Sequence, residues 1–332
     1  MSPELPKAAS LEEAVFGVGN EKDFTRIALE VFHFQYQHNI LYRSYCDRLN
    51  RTPVRVKALQ DIPYLPIAFF KSHRVMTGTF DPELNFRSSG TTGTTTSHHF
   101  VKSVQVYRQS FLKAFKIFYG NPGDYCILGL LPSYLERGNS SLVYMVEHLI
   151  HDSAHPESGF YLHDAERLAR TVQELESRGQ KTLLIGVTYA LLNFAERYPG
   201  NLAHTIIMET GGMKGRRQEL VRGEVHDVLK RSFGLSSIHS EYGMTELLSQ
   251  AYSHGEGVFR APPWMKLLLR EESDPFSVRA EGSGVLNVID LANLYSCSFI
   301  ATEDGGKVSG STFEVLGRVD NSDVRGCSLL AL

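Results

Sequence analysis

The hydrophobic positions of this chain change period along its length, and the changes divide it. From Asp23 to Leu49 the apolar residues Phe24, Ile27, Ala28, Val31, Phe32, Ile40 and Leu41 keep mostly helical spacing, with Arg and Glu between them. That pattern predicts one long amphipathic helix, after an arm and a short helix in residues 1–20. The aromatics Phe32, Phe34 and Tyr36 are assigned to its core side. Residues 61–70, DIPYLPIAFF, hold two prolines that bar a regular helix. An extended apolar segment is expected there, packed beside the polar stretch that follows. Ser103 then stands where it would cap a helix running to Tyr119, closed by Gly120. YCILGLL (Tyr125 to Leu131), KTLLIGV (Lys181 to Val187) and HTIIME (His204 to Glu209) are strand-length, largely apolar runs, as strands buried on both faces require. Helical patterns separate or follow them: Ser140 to Ile150, Asp164 to Arg178 with Gly179 at the stop, one ending near Tyr198, and one from about Gly215 to Phe233 before Gly234. A short strand, Ser236 to Ser240, follows.

Strand and helix alternating at these lengths predict right-handed crossovers and a largely parallel sheet over residues 1–262. From Pro263 the pattern shortens. MKLLLRE, GVLNVIDL and CSFIAT are β-like runs between Gly-containing turns, so residues 263–332 are expected to form a small β subdomain.

One stretch fits neither period. Residues 86–100 read FRSSGTTGTTTSHHF, and between Ser88 and Ser97 lie eight hydroxyl residues and two glycines, with no apolar or charged side chain. Glycines let a backbone approach a ligand closely, and hydroxyls beside turned N–H groups make a concave donor array suited to phosphate oxygens. It is not a Walker A loop, because Gly90 is followed by Thr-Thr-Gly-Thr-Thr rather than by a Gly-Lys-Ser/Thr ending. The plainer reading of such a composition is a flexible polar linker.

Composition removes several function classes. A net charge of -3 and a pI near 6.5 leave no electrostatic footprint for nucleic acid. Cys46, Cys126, Cys297 and Cys327 are far apart and form no C-x-x-C, so neither a disulfide framework nor a zinc knuckle is indicated. The start, MSPELPKAASLEE, has no apolar run behind a basic patch, and no window reaches the ~18 apolar residues of a membrane span. A cytoplasmic location is expected.

Ligands of parallel α/β sheets sit beyond the carboxyl ends of the strands, and polar clusters fall at such places. Glu209-Thr210-Gly211-Gly212 follows HTIIM, and its glycines would let a flat ring lie on the backbone. Glu241-Tyr242-Gly243-Met244-Thr245-Glu246 follows the strand ending near Ser240. Its two carboxylates, hydroxyl and aromatic suit Mg²⁺ and phosphate contacts plus stacking. Thr302-Glu303-Asp304-Gly305-Gly306 follows CSFIA, where a carboxylate could hold a ribose diol. Gly317-Arg318-Val319-Asp320 adds a cation.

In this combination and order the motifs resemble the adenylate-forming superfamily of acyl-CoA synthetases and adenylation domains. More narrowly, METGGMKG, EYGMTELLSQ, IATED and GRVDNSDVRGCSL resemble the acyl-protein synthetases, the LuxE family, over roughly residues 60 to 332. The resemblance implies an α/β fold of the adenylate-forming N-terminal type, with largely parallel sheets, crossover helices and a small β subdomain. It implies a ligase that uses ATP and Mg²⁺ to activate a carboxylic acid, a fatty acid being favoured, as an acyl-adenylate. Acyl transfer to a thiol follows, with an acyl-carrier, reductase or transferase protein as possible partner. Ser89, Gly90, Thr91, Thr92 and Gly93 would hold the β- and γ-phosphates, and Gly211 and Gly212 would border the adenine with Tyr242 against the ring. Thr245 would contact the α-phosphate, Glu246 would bind Mg²⁺, Asp304 would hold the ribose hydroxyls, and Arg318 would reach ribose or phosphate. Cys327 would be the acylated thiol, with Cys297 read as a packing residue.

Two features depart from the superfamily pattern. The lysine that usually ends the phosphate loop falls near Thr96, and the chain runs only twelve residues past Asp320, without the usual mobile C-terminal domain and its lysine. Lys214, Arg216, Lys307 and Arg325 are candidates for the replacing cation. An acyl pocket is expected near Phe69, Phe70, Tyr134 and Leu135. The competing readings are a nucleotide-binding subunit that docks an acyltransferase or reductase, and a metal site at His148, His151, His155 and His163 with Asp152 and Asp164.

Overall fold

The computed structural model describes residues 7–88, 95–132, 139–211 and 220–319. Helix α1 (Ala8–Phe16) leads into α2 (Glu21–His38), which buries Phe24, Ile27, Ala28, Val31, Phe32 and Phe34. The expected single helix is in fact two, because α3 (Ile40–Arg48) starts afresh after Asn39. Asn39 is extended (φ -106°, ψ 103°). Its side chain accepts from Tyr42 N at 2.9 Å and donates to the Ser296 carbonyl at 2.9 Å. A side chain that caps the next turn and binds a distant carbonyl outcompetes helix continuation, which apolar period alone does not register.

Segment 61–70 is mostly non-helical, as its prolines require. It contains β1 (Leu65–Pro66), paired in parallel with residues 300–301, and the one-turn helix α4 (Phe69–Ser72), which begins beyond the second proline. The hairpin β2 (Leu84–Arg87) and β3 (His98–Val101) carries the Ser/Thr/Gly stretch between its strands. Helix α5 (Val104–Tyr119) has Ser103 at its N-cap position, but it is the carboxylate of Glu83 that accepts from Val104 N, at 2.8 Å.

The next elements alternate as expected. They are β4 (Cys126–Leu130), α6 (Ser141–Ser153), β5 (Gly159–Phe160), α7 (Ala165–Ser177), β6 (Thr182–Gly186), α8 (Thr188–Arg197), β7 (Thr205–Glu209), α9 (Arg222–Phe233) and β8 (His239–Tyr242). Strands β5-β4-β6-β7-β8 are parallel neighbours in that order. Every residue of β4 and β6 is buried, which is why their sequences are continuous apolar runs rather than alternations. Asp164 accepts from Arg167 N at 3.0 Å, so α7 starts where its cap residue stands. Leu168, Val172 and Leu175 then face the sheet, each contributing roughly 1.5–3 kcal/mol of burial.

The chain then turns antiparallel through β9 (Ala251–Ser253), β10 (Val258–Arg260), β11 (Met265–Arg270), β12 (Val278–Arg279), β13 (Gly282–Asp290), β14 (Phe299–Ser309) and β15 (Thr312–Arg318). These strands continue the same hydrogen-bonded sheet, in the order β12-β11-β13-β14-β15-β10-β9-β8. The carboxyl ends of β7 and β8 thereby come to lie on one continuous sheet with β14 and β15. Among the described residues no helix is long and apolar enough to cross a membrane.

Candidate active site

The site is built from the end of β8 outward. Tyr242, the last residue of that strand, is buried with its ring edge-on to Phe259 and Phe313. Its hydroxyl donates to Asp304 Oδ2 at 2.9 Å. Burial beside Asp304 holds the Tyr242 phenol well above its ordinary range, so it remains a donor. Strands β14 and β15 pair Asp304 with Arg318, whose Nε lies 3.8 Å from Asp304 Oδ1. Burial raises the Asp304 carboxyl, while the Tyr242 hydrogen bond and the Arg318 charge oppose that rise. One oxygen of Asp304 is thus committed to Tyr242 and the other faces a largely solvent-exposed guanidinium.

The turn after Tyr242 is fixed from three sides. A Cβ on Gly243 would meet the Glu241 carboxylate at 2.4 Å, so a larger residue there would force the Glu241 side chain to shift. His99, buried on β3, donates from Nδ1 to the Thr245 carbonyl at 2.9 Å and accepts at Nε2 from the Ser296 hydroxyl at 2.9 Å. Burial lowers its pKa to about 4, so the ring is neutral near pH 7. Asn293 donates to the Glu246 carbonyl at 2.7 Å, and Asp290 Oδ2 accepts from Leu248 N and Ser249 N at 2.8 and 2.9 Å. His99, Asp290 and Asn293 are positioning residues that sequence reasoning missed. The adjacent histidines that open β3 were the local signal for His99, and Asp290 and Asn293 had none.

Glu246 is buried, which raises its pKa. The side chain of Ser97 hydrogen-bonds it, and the charges of Arg318 and Lys71 also pull the pKa down. Ser97 closes the base of the Ser/Thr/Gly stretch: Ser88 N donates to Ser97 O at 3.2 Å, and Ser97 N donates to Ser88 Oγ at 2.9 Å. The Thr245-Glu246 turn and the neck of that loop are therefore one assembly. Ser89, Gly90, Thr91, Thr92 and Gly93 lie outside the described residues, as do Gly212, Cys327, Tyr134 and Leu135.

The end of β7 forms the other wall. Glu209 is buried and accepts from the Thr188 hydroxyl and, at 2.6 Å, from Gly211 N. Thr188 N in turn donates to Gly211 O at 3.0 Å. Gly211 adopts φ +77°, and among the described residues nothing lies within 4 Å of where its Cβ would be. It is glycine for its backbone angle. Strand alternation sends Glu241 away from the Tyr242 side. There burial and the nearby Glu209 carboxylate push it up to about 8. Both carboxylates of EYGMTE were read as suited to Mg²⁺ and phosphate, but Glu241 faces inward and is largely protonated near pH 7.

With this geometry, residues 18–331 match the acyl-protein synthetase family, LuxE. The chain belongs to that family. It is a ligase of the acyl-protein synthetase type. The long-chain-fatty-acid–luciferin-component ligase of Vibrio harveyi is 25% identical over 357 residues, covering 98% of this chain and 89% of that protein. The fold is similar to that of a 2-hydroxyisobutyryl-CoA ligase solved in its postadenylation state with R3-HIB-AMP. That match has a TM-score of 0.63 at 13% identity and covers 96% of this chain and 70% of that one. It is also similar to apo MatB from Rhodopseudomonas palustris, with a TM-score of 0.50 at 16% identity over 74% and 49% of the two chains. These structural matches show the adenylate-forming fold that the motifs implied.

Other expected site residues are placed elsewhere. Phe70 is fully buried with its ring 5.7 Å from that of His99, and so serves to hold α4. A cavity of about 330 Å³ lies on the far side of segment 62–68, between Ile62, Pro66, Phe276 and Arg270. It includes none of the residues assigned to the nucleotide. Cys297 is buried and packed, as read from sequence, and Cys46 and Cys126 are buried with thiols pushed up to about 12 and 11. Such thiols are poor nucleophiles. His148 stacks on Tyr144 at 4.2 Å and His151 pairs with Asp152. Among the described residues no group of three or more His, Cys, Asp and Glu could hold a metal.

Proposed function

We propose that this ligase activates a carboxylic acid, a fatty acid first of all, with ATP, and then transfers the acyl group to a thiol. The carrying observation is that Arg318 links two parts of one site, the Tyr242–Asp304 pair that it faces and the Glu246 that bonds the neck of the Ser/Thr/Gly loop, in a chain of the acyl-protein synthetase family. The fatty acid is suggested by the name of the Vibrio harveyi relative.

In the proposed first step a carboxylate oxygen attacks the α-phosphorus, the bond to the bridging oxygen breaks, and pyrophosphate leaves an acyl-adenylate. Gly211 and Gly212 border the adenine with Tyr242 beside it, and Asp304 accepts from the ribose hydroxyls. Thr245 faces the α-phosphate, and Ser89, Gly90, Thr91, Thr92 and Gly93 receive the terminal phosphates. Arg318 neutralises charge at the ribose-phosphate end. Oxygen donors at Glu246, Ser97 and Thr245 fit Mg²⁺, which commonly takes one carboxylate together with substrate phosphates and water. Mg²⁺ would screen the triphosphate charge. In the second step a thiolate attacks the acyl carbon, the acyl–phosphate C–O bond breaks, AMP leaves and the thiol proton goes to solvent. Cys327 is the proposed acceptor, from which a reductase or transferase partner would take the acyl group onward.

The test is pyrophosphate release with ATP, Mg²⁺ and a panel of labelled fatty acids, followed by neutral hydroxylamine. Acid-dependent release and a hydroxylamine-labile label that disappears in Cys327→Ser are expected. ATP binding without acid-dependent release would instead mark a non-adenylating subunit. Equal label in Cys327→Ser would move the acceptor elsewhere.

A further inference from the structure

Helix α4 is held by its neighbours in a way that leaves one charge free. Ile67 N donates to Ala301 O at 2.9 Å, which ties the preceding strand to β14, and Phe70 N donates to Ile67 O at 3.1 Å. The Phe70 ring is buried against His99, the residue that grips the Thr245 carbonyl. Lys71 follows directly. Its backbone is fixed by these contacts, its side chain is exposed, and its ammonium enters no hydrogen bond or ion pair among the described residues. Glu246 feels the charges of both Arg318 and Lys71, and Asp304 those of Arg318 and Arg222. Arg318 from β15 thus serves both carboxylates, and Lys71 from α4 adds a second cation on the Glu246 side, where the buried Phe70–His99 contact seats its helix.

A triphosphate arriving here meets Glu246, Asp304 and Glu209, so it needs positive charge to bind. We propose that Lys71 is the phosphate-binding cation at the loop end of this site, contacting the pyrophosphate portion of ATP beside Glu246. This assignment rests on the nucleotide reading above and adds a residue to it. The four cations considered from sequence alone did not include Lys71. Of those, Lys307 lies on β14 opposite Glu314, and the other three are outside the described residues.

The experiment compares Mg·ATP and AMP binding by calorimetry in the full chain, in wild type, Lys71→Met and Lys71→Arg, together with thermal unfolding. Lys71→Met should bind Mg·ATP about tenfold to a hundredfold more weakly, as expected for loss of one charge-assisted contact. AMP affinity and the unfolding midpoint should be unchanged, and Lys71→Arg should recover most of the ATP affinity. Unchanged ATP affinity in Lys71→Met, or an equal loss for AMP, overturns the assignment while leaving the nucleotide site standing. A wild-type protein that binds neither nucleotide overturns both.

Discussion

Tyr242 and Asp304 stand 62 residues apart in sequence and 2.9 Å apart in space, hydroxyl to carboxylate. The bond joins the end of the last parallel strand to the antiparallel half of the sheet. It also decides which oxygen of Asp304 remains for a ligand. Tyr242→Phe should leave that carboxylate less stabilised and raise its pKa further, because the lost bond favours the ionised form. The acidic limb of ATP affinity should accordingly shift to higher pH. Calorimetric titrations from pH 5 to 8 check this, and an unshifted limb counts against it. Asp304→Ala should cost ~1.5–3 kcal/mol of ATP binding at any pH in that range.

Glu246→Gln keeps the shape of the side chain and removes its charge. Acid-dependent pyrophosphate release should fall by at least about tenfold, the scale of one charge-assisted contact. Stability should hold or rise, since a buried carboxylate is relieved. Steady-state pyrophosphate assays with a thermal melt separate the two effects. Unchanged turnover would remove Glu246 from the chemistry.

The buried His99 and the partly buried Glu241 should give stability opposite slopes with pH. His99 titrates at about 4 in the folded chain against an ordinary value of 6.5. The unfolded state therefore holds more protons in that window, and stability is lost as pH falls through it. Glu241 titrates at about 8 against 4.5, so the folded state holds the extra proton and stability declines as pH rises towards 8. Above pH 6.5 the Glu241 slope is no longer offset by His99 and can reach about 1.4 kcal/mol per pH unit. Urea denaturation of Glu241→Gln between pH 6.5 and 8 should be flatter than wild type. A slope that persists in the variant assigns it to another group.

Asp290 accepts from Leu248 N, Ser249 N, the Ser249 hydroxyl and Ala292 N while fully buried. Asp290→Ala strands those donors and should cost ~3 kcal/mol or more, since each buried donor left unpaired costs ~1–3 kcal/mol. It should also loosen the Thr245-Glu246 turn. Chemical denaturation measures the first effect and pyrophosphate release the second. A stable variant with full activity would show that the turn is held without it.

The order of motifs, the buried strands Cys126–Leu130 and Thr182–Gly186, and the start of the helix Ala165–Ser177 at Asp164 were legible because each depends on neighbours in sequence. Strand runs buried on both faces need apolar residues, and a cap needs only the next turn. Those local rules, with the resemblance of the motifs, gave the fold class and named Tyr242, Glu246, Asp304 and Arg318. Tertiary structure decided what these residues touch. Asn39 ends a helix because Ser296, 257 residues away, offers it a carbonyl. His99 is neutral and holds Thr245 because the hairpin packs 146 residues from its partner. Of the two carboxylates in EYGMTE, only Glu246 faces Arg318 and Lys71, while Glu241 turns toward Glu209. Strand alternation separates Glu241 from Tyr242, but which face meets the site depends on what packs there, and that is set by long-range contacts no local pattern contains.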